Sequence, residues 1–327
     1  MLTWLIRRLF HAVLVIVAMT VLLFVGLHMI GNPVDVLVHP DATQAERARL
    51  IAEYGLDQPL WRQYLVFVAN ALKGDLGRSF VFNEPALQLV MSRLPATLEL
   101  ASASMIMALV VGVPAGLYAG LRPNSLSSRA IMVASVLAFS LPTFWVGLVL
   151  IMTFSVHFGW LPTTGRGDTV TVLGIEWSFL TLDGLKHLAM PALNLALFNV
   201  AFVLRLTRAG VREVMPTEYI RFARAKGLAE NRIIGVHVLK NIAIPIVTVA
   251  GIEFGGTVAF AVVTETIFAW PGMGKLFIDS VNLLDRPVIV AYLIVTVVLF
   301  TAINLVVDLL YSLIDPRIRA GAMGGGR

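Results

Sequence analysis

Apolar residues run through this chain in long blocks separated by short polar stretches. The first block, 10–30, is apolar apart from His11, Thr20 and His28. About 20 apolar residues cross the ~30 Å hydrocarbon core of a bilayer, so residues 1–30 are read as a first transmembrane helix. A charged start with Arg7 and Arg8 also fits a secretory leader. However, the apolar run is longer than a leader core, and Gly31-Asn32-Pro33 follows it instead of a small-x-small cleavage site. Further blocks predict spans near 96–120, 130–158, 188–204, 242–268 and 287–314. Gly112 and Pro114 lie inside the second block, as membrane helices tolerate, and Pro142 interrupts the third.

The polar stretches carry their own signals. Within 31–95, Thr43-Gln44-Ala45-Glu46 reads as a capping box and Gly55 as a helix stop. Pro59 opens a second helix with Leu60, Tyr64, Phe67, Ala71 and Leu72 on one face, ending at Gly74. This predicts a small extracytoplasmic helical element between helices 1 and 2. It could dock a substrate-binding protein, line the mouth of a pathway, or cap the spans. Residues 159–187 are polar again, with Asp168, Glu176 and Asp183 against Arg166 and Lys186.

The most charged and most helix-punctuated piece is 216–245, PTEYIRFARAKGLAENRIIGVHVLKNIAIP. Thr217 suits an N-cap, and Glu218 suits the first turn of a helix dipole. Arg224 and Lys226 suit the last turn, and Gly227 a left-handed stop. The prediction is a helix of about ten residues, ~15 Å long. A helix that short is marginal alone in water and needs a surface to dock on, either protein or anionic lipid. A second helix is expected over 230–241, with Pro245 allowing one further turn.

Composition agrees with the blocks. Of 327 residues, 58% are hydrophobic and 14% charged, too apolar for a soluble domain. The chain contains no cysteine, which excludes disulfides, thiolate metal sites and cysteine nucleophiles. The net charge of +5 is carried by loops beside spans and argues for orientation, not nucleic acid. Arg7, Arg8, Arg122, Arg129, the basic residues of 205–241, Arg317 and Arg319 fall on one side, with few acids among them. That bias predicts six spans with both termini and the 205–241 loop in the cytoplasm. The end, 315–327, reads as a cytoplasmic tail. No internal repeat or linker divides the chain.

Catalytic chemistry finds little support. Gly272-Met273-Gly274-Lys275 is not a P-loop, because Ala269 replaces the first glycine and Leu276 the magnesium-binding hydroxyl. Six histidines show no metal-ligand spacing, and no nucleophile elbow is present. Any use of ATP and magnesium would belong to a separate subunit. Intramembrane polar residues are sharper. Glu253 falls mid-span, where a carboxylate costs about 2.5–3.5 kcal/mol or more. It either lines a translocation pathway and meets cationic substrate groups, or is a hydrogen-bonded packing carboxyl. Asn194 and Asn199 could line the pathway or join helices. Glu265 is a further pathway candidate. It, Glu99 and Asp308 nevertheless lie near span ends, where snorkelling or local pairing accounts for a carboxylate.

The string EYIRFARAKGL with HVLKN and a following proline resembles the cytoplasmic EAA loop of ABC-importer permeases, in its dipeptide/oligopeptide form. KGDLGRS (73–79), RLPATLEL (93–100), GWLPTTG (159–165), TETIFAWPGMGKL (264–276) and NLVVDLLYSLIDPRIR (304–319) are similar to other strings of that family, in its first-named permease. LLDRP (283–287) departs from the usual Arg-Asp-aromatic-Pro. The resemblance implies an all-α integral membrane protein of six transmembrane helices with the type I ABC-importer (MetI-like) permease fold, in a bacterial inner membrane. It implies no enzymatic activity in this chain, and as partners a second homologous permease, two ABC ATPase subunits and an extracytoplasmic binding protein. Coupling to the ATPases would fall to Thr217, Glu218, Tyr219, Ala223, Arg224, Ala225, Lys226, Gly227 and Leu228, with the alanines allowing close approach. Peptides are the first substrate class; glutathione, nickel complexes, opines and sugars are alternatives within the family. The rivals outside it are a stand-alone secondary transporter or channel, which would need paired ionisable residues or broken helices in matching halves, an intramembrane enzyme, and a structural scaffold.

Overall fold

The computed structural model describes residues 2–30, 44, 52 and 57–314. The expected capping box, the Gly55 stop and the tail from 315 lie outside the described residues. Helices dominate: α1 (Leu2–Ile30), α2 (Leu60–Leu72), α3 (Ala86–Leu121), α4 (Leu126–Ser140) and α5 (Thr143–Leu150), the last continued by a π-helical turn Ile151–His157. A hairpin of β1 (Val170–Val172) and β2 (Ile175–Trp177) follows, then α6 (Leu182–Val214) and α7 (Glu218–Ala225). The rest is α8 (Glu230–Phe260), α9 (Val262–Ile267), α10 (Met273–Asn282) and α11 (Arg286–Ile314).

Among the described residues five helices are long and apolar enough to cross a membrane, and a sixth crossing requires the pair Leu126–Ser140 and Thr143–His157, bent by 105°. The third span, expected over 130–158 with an interruption at Pro142, is thus broken there. Pro142 takes an extended backbone, having no N–H to offer the preceding turn. Other helices overrun their expected limits. α3 begins at Ala86, ahead of Pro95, and α6 carries on through Arg205–Glu213, so the charged loop begins as helix. α8 is one helix through Pro245, with a π-helical stretch Ile233–Val238 near its start. A membrane helix tolerates a proline in its interior. The hairpin was not foreseen. Its two-residue turn has Leu173 at φ 55° and Gly174 at φ 78°, which is the type I′ geometry that matches strand twist.

The chain falls into two compact units. Met1–Arg93 with Leu276–Thr301 form the first. There α2 leans on α1 through Phe24, whose ring lies 5.4 Å from Tyr64 and 6.1 Å from Phe67. In the same unit the buried Asp285 accepts bonds from the Ser79 hydroxyl and the Phe80 N–H. KGDLGRS and LLDRP thus meet, and Gly77 lies against Pro287.

Leu94–Lys275 with Ala302–Arg327 form the second unit. Its tightest seam joins α3 to α6. Gly112, Gly116 and Gly120 recur every four residues and face Val203, Leu204, Thr207 and Val211. A Cβ at Gly116 would stand 2.5 Å from the Leu204 carbonyl oxygen. This is the small-xxx-small packing of membrane helices, driven by close backbone approach. At one end of the unit Glu99 is enclosed. It accepts from the Arg166 Nε (3.0 Å) and Nη2 (2.5 Å), the Ser178 N–H (2.7 Å) and hydroxyl (2.9 Å), and the Phe179 N–H (2.8 Å). The polar loop 159–181 is thereby bound to α3.

Candidate coupling surface

α7 is built as its sequence requires, with one exception. Thr217 has the extended backbone of an N-cap but makes no side-chain cap, because its hydroxyl donates back to the Val214 carbonyl at 2.7 Å. The other end is a full Schellman closure: Gly227 N–H donates to Arg224 O (2.9 Å) and Leu228 N–H to Ala223 O (3.3 Å). Gly227 sits at φ 76°, a conformation that side chains with a Cβ resist.

The helix has two faces. Ile220 and Ala223 are buried with Val211, Ile233, Val238 and Ile242, and Leu228 packs against the same cluster. Burying Ile220 contributes about 1.5–3 kcal/mol, enough to hold an eight-residue helix that could not persist alone. Ala223 was expected on a docking face; it faces its own chain instead. The i, i+3 pair with Ile220 turns it inward. Tyr219 adds a polar tie. Its hydroxyl donates to His237 O (2.6 Å) and accepts from Asn241 Nδ2 (2.6 Å), joining α7 to the π-helical start of α8. Burial pushes the Tyr219 phenol up, so it stays a neutral donor at ordinary pH.

The outward face carries Glu218, Arg221, Phe222, Ala225 and Lys226, all exposed. Glu218 pairs with Arg221 at 2.7 Å and Arg224 with Glu230 at 2.6 Å; both pairs are at the surface and worth little in stability. Phe222 is 62% exposed, with the Lys226 ammonium 4.5 Å from its ring centroid. The sequence reading passed over Phe222. Its signal is an aromatic two residues after the buried Ile220, about 200° round the helix and so on the opposite side.

The intramembrane candidates separate. Asn194 and Asn199 are buried on α6, and their Nδ2 atoms donate to Thr264 (2.9 Å) and Thr257 (2.9 Å). These bonds run between helices. Glu265 is fully buried and accepts from the Thr97 hydroxyl (2.6 Å) and the Lys275 N–H (2.9 Å) at the start of α10. Gly272 lies so close to its carboxylate that no Cβ fits, so this glutamate organises the TETIFAWPGMGKL turn. Trp270 of the same turn is buried, with its indole N–H on Ala96 O at 2.9 Å. Glu253 is half-buried, and its carboxylate has no hydrogen-bond or ion-pair partner among the described residues.

Comparison with known proteins places these features. Residues 112–320 match the family described as the binding-protein-dependent transport system inner membrane component, and residues 1–101 its N-terminal membrane component. The oligopeptide transport system permease AppB of Bacillus subtilis (strain 168) is 39% identical over 97% of this chain and 99% of its own. The dipeptide permease DppB of Escherichia coli (strain K12) is 37% identical over 98% of this chain and 99% of its own. The glutathione permease GsiC of E. coli O6:H1 (strain CFT073) is 37% identical with the same coverage. The inward-facing MetNI methionine ABC transporter shares the fold at a TM-score of 0.57 and 19% identity, over 71% of this chain and 99% of that one. A multi-pass membrane protein, this chain belongs to the family of inner membrane components of binding-protein-dependent transport systems.

Proposed function

We propose that this chain forms half of the translocation pathway of an ATP-driven peptide importer and takes its stroke from an ATPase subunit through α7. One observation carries the coupling role. α7 is fastened to its own chain along one face and by Tyr219, while the other face presents Glu218, Phe222, Ala225 and Lys226 with nothing over them among the described residues. A helix held that way moves with whatever grips its free face. It then transmits that motion to α6 and α8 as a rigid lever. Residues 205–241 and both termini are cytoplasmic in this reading, on the Lys/Arg bias. The partners are a second similar permease, two ATPases that bind ATP and magnesium, and an extracytoplasmic binding protein. Peptides are the substrate class because AppB and DppB are named for oligopeptides and dipeptides, and GsiC for glutathione, itself a tripeptide.

Of the pathway candidates, Glu253 fits best, since Asn194, Asn199 and Glu265 are each engaged in local bonds. The test is ATP-dependent uptake of labelled dipeptide into proteoliposomes holding the whole complex. Gly227→Trp with Arg224→Glu, and separately Phe222→Asp, are expected to abolish uptake and ATPase co-purification while the chain still inserts. Uptake that proceeds without ATPase subunits, or ignores these substitutions, would leave α7 a lipid-facing helix and the chain a secondary transporter.

A further inference from the structure

The first unit holds a feature that transport does not explain. No residue of α2 is buried, although it is rich in large apolar side chains. Tyr64 and Phe67 touch α1, but Trp61, Leu65 and Leu72 form a second stripe at helical spacing and are 66%, 57% and 85% exposed. The sequence reading gave this helix an aqueous setting outside the membrane.

Its contacts give a different depth. The apolar block of α1 runs over 10–30. Tyr64 meets Thr20 and Phe24 of that block, with the two hydroxyls 3.0 Å apart. Thr20 precedes the end of the block by ten residues, so it lies about 15 Å of helix inside it. A phenol at such depth requires a hydrogen-bond partner, because hydrocarbon offers none; Thr20 supplies it. At the same level α1 exposes Leu22 and Val25. Nearly all of this span is uncovered by the described residues, so the α2 stripe extends an apolar surface that already faces outward. Arg62 and Gln63 turn instead to Gln58 at the head of α2. An apolar stripe with polar groups on another side is the make-up of a helix lying in the membrane interface.

We propose that α2 is sunk in the leaflet at the C-terminal end of α1, with Trp61, Leu65 and Leu72 in contact with lipid acyl chains. α2 then acts as a membrane anchor that fixes the depth at which 57–85 leave the bilayer. This holds whatever the chain transports.

The absence of native cysteine makes the test direct. Leu65→Cys is spin-labelled in the complete complex, assembled with cysteine-free partners in phosphatidylethanolamine/phosphatidylglycerol vesicles. Collision rates with oxygen and with a water-soluble nickel chelate are then measured. Val13→Cys on α1 is the lipid reference, and Leu173→Cys at the hairpin tip, 98% exposed, the aqueous one. The expected result is a high oxygen-to-nickel ratio at position 65 approaching that at 13, with position 62 nearer to 173. A nickel-accessible label at 65 would put α2 in water. A label shielded from both reagents would put protein over the stripe. Either result overturns the proposal.

Discussion

Glu99 and Arg166 form an ion pair 2.5 Å long, with 1% and 11% of their side chains exposed. Ser178 and Phe179 satisfy the remaining carboxylate lone pairs. Breaking such a pair from one side leaves an uncompensated charge and costs about 3–5 kcal/mol. Arg166→Met is therefore expected to lower the thermal midpoint of the purified complex sharply. Glu99→Gln with Arg166→Met should lose less than the sum of the two single substitutions, read as a double-mutant cycle. Glu253 makes the opposite case, a carboxylate without a partner among the described residues. Glu253→Gln keeps the shape and removes the charge. It should slow uptake of peptides with cationic side chains, while neutral peptides and ATP hydrolysis change little. Unchanged uptake of every peptide would assign Glu253 to packing.

At the scale of elements, the α3–α6 seam is set by glycine. Substitution at Gly116 forces backbone against side chain and costs about 1–3 kcal/mol, as overpacking does. Gly26 on α1 has nothing within 4 Å of an added Cβ and serves as the control. Gly116→Leu should reduce the yield of folded complex on gel filtration, and Gly26→Leu should not. The same elements mark what the sequence could tell. Gly227 was legible because a left-handed stop after a basic last turn has one common solution. The spans were legible because bilayer thickness sets their length. The inward turn of Ala223 was not, since eight residues with apolar groups on two sides leave the buried face open. Gly112-x3-Gly116-x3-Gly120 stood in plain sight, but which helix it would meet depends on tertiary packing. The π-helical stretch Ile233–Val238 in α8 is announced by no local pattern.

For the whole molecule, family and span number follow from the chain alone, while the depth of α2 and the burial of Trp270 and Glu265 required coordinates. The pattern of residues sets which conformations they tolerate, and only the fold sets what surrounds them. One feature reaches further. Between α4 and α5 the chain bends by 105°, and 139–145 are exposed on this chain. Each arm is 15 residues, ~22 Å of helix, short of the ~30 Å core. The elbow therefore falls at membrane depth with helix-end carbonyls uncovered, which hydrocarbon does not tolerate. A single copy in a bilayer would carry an open wound there. The elbow at Pro142 therefore needs cover from outside these two helices, either water in a pore or a neighbouring surface.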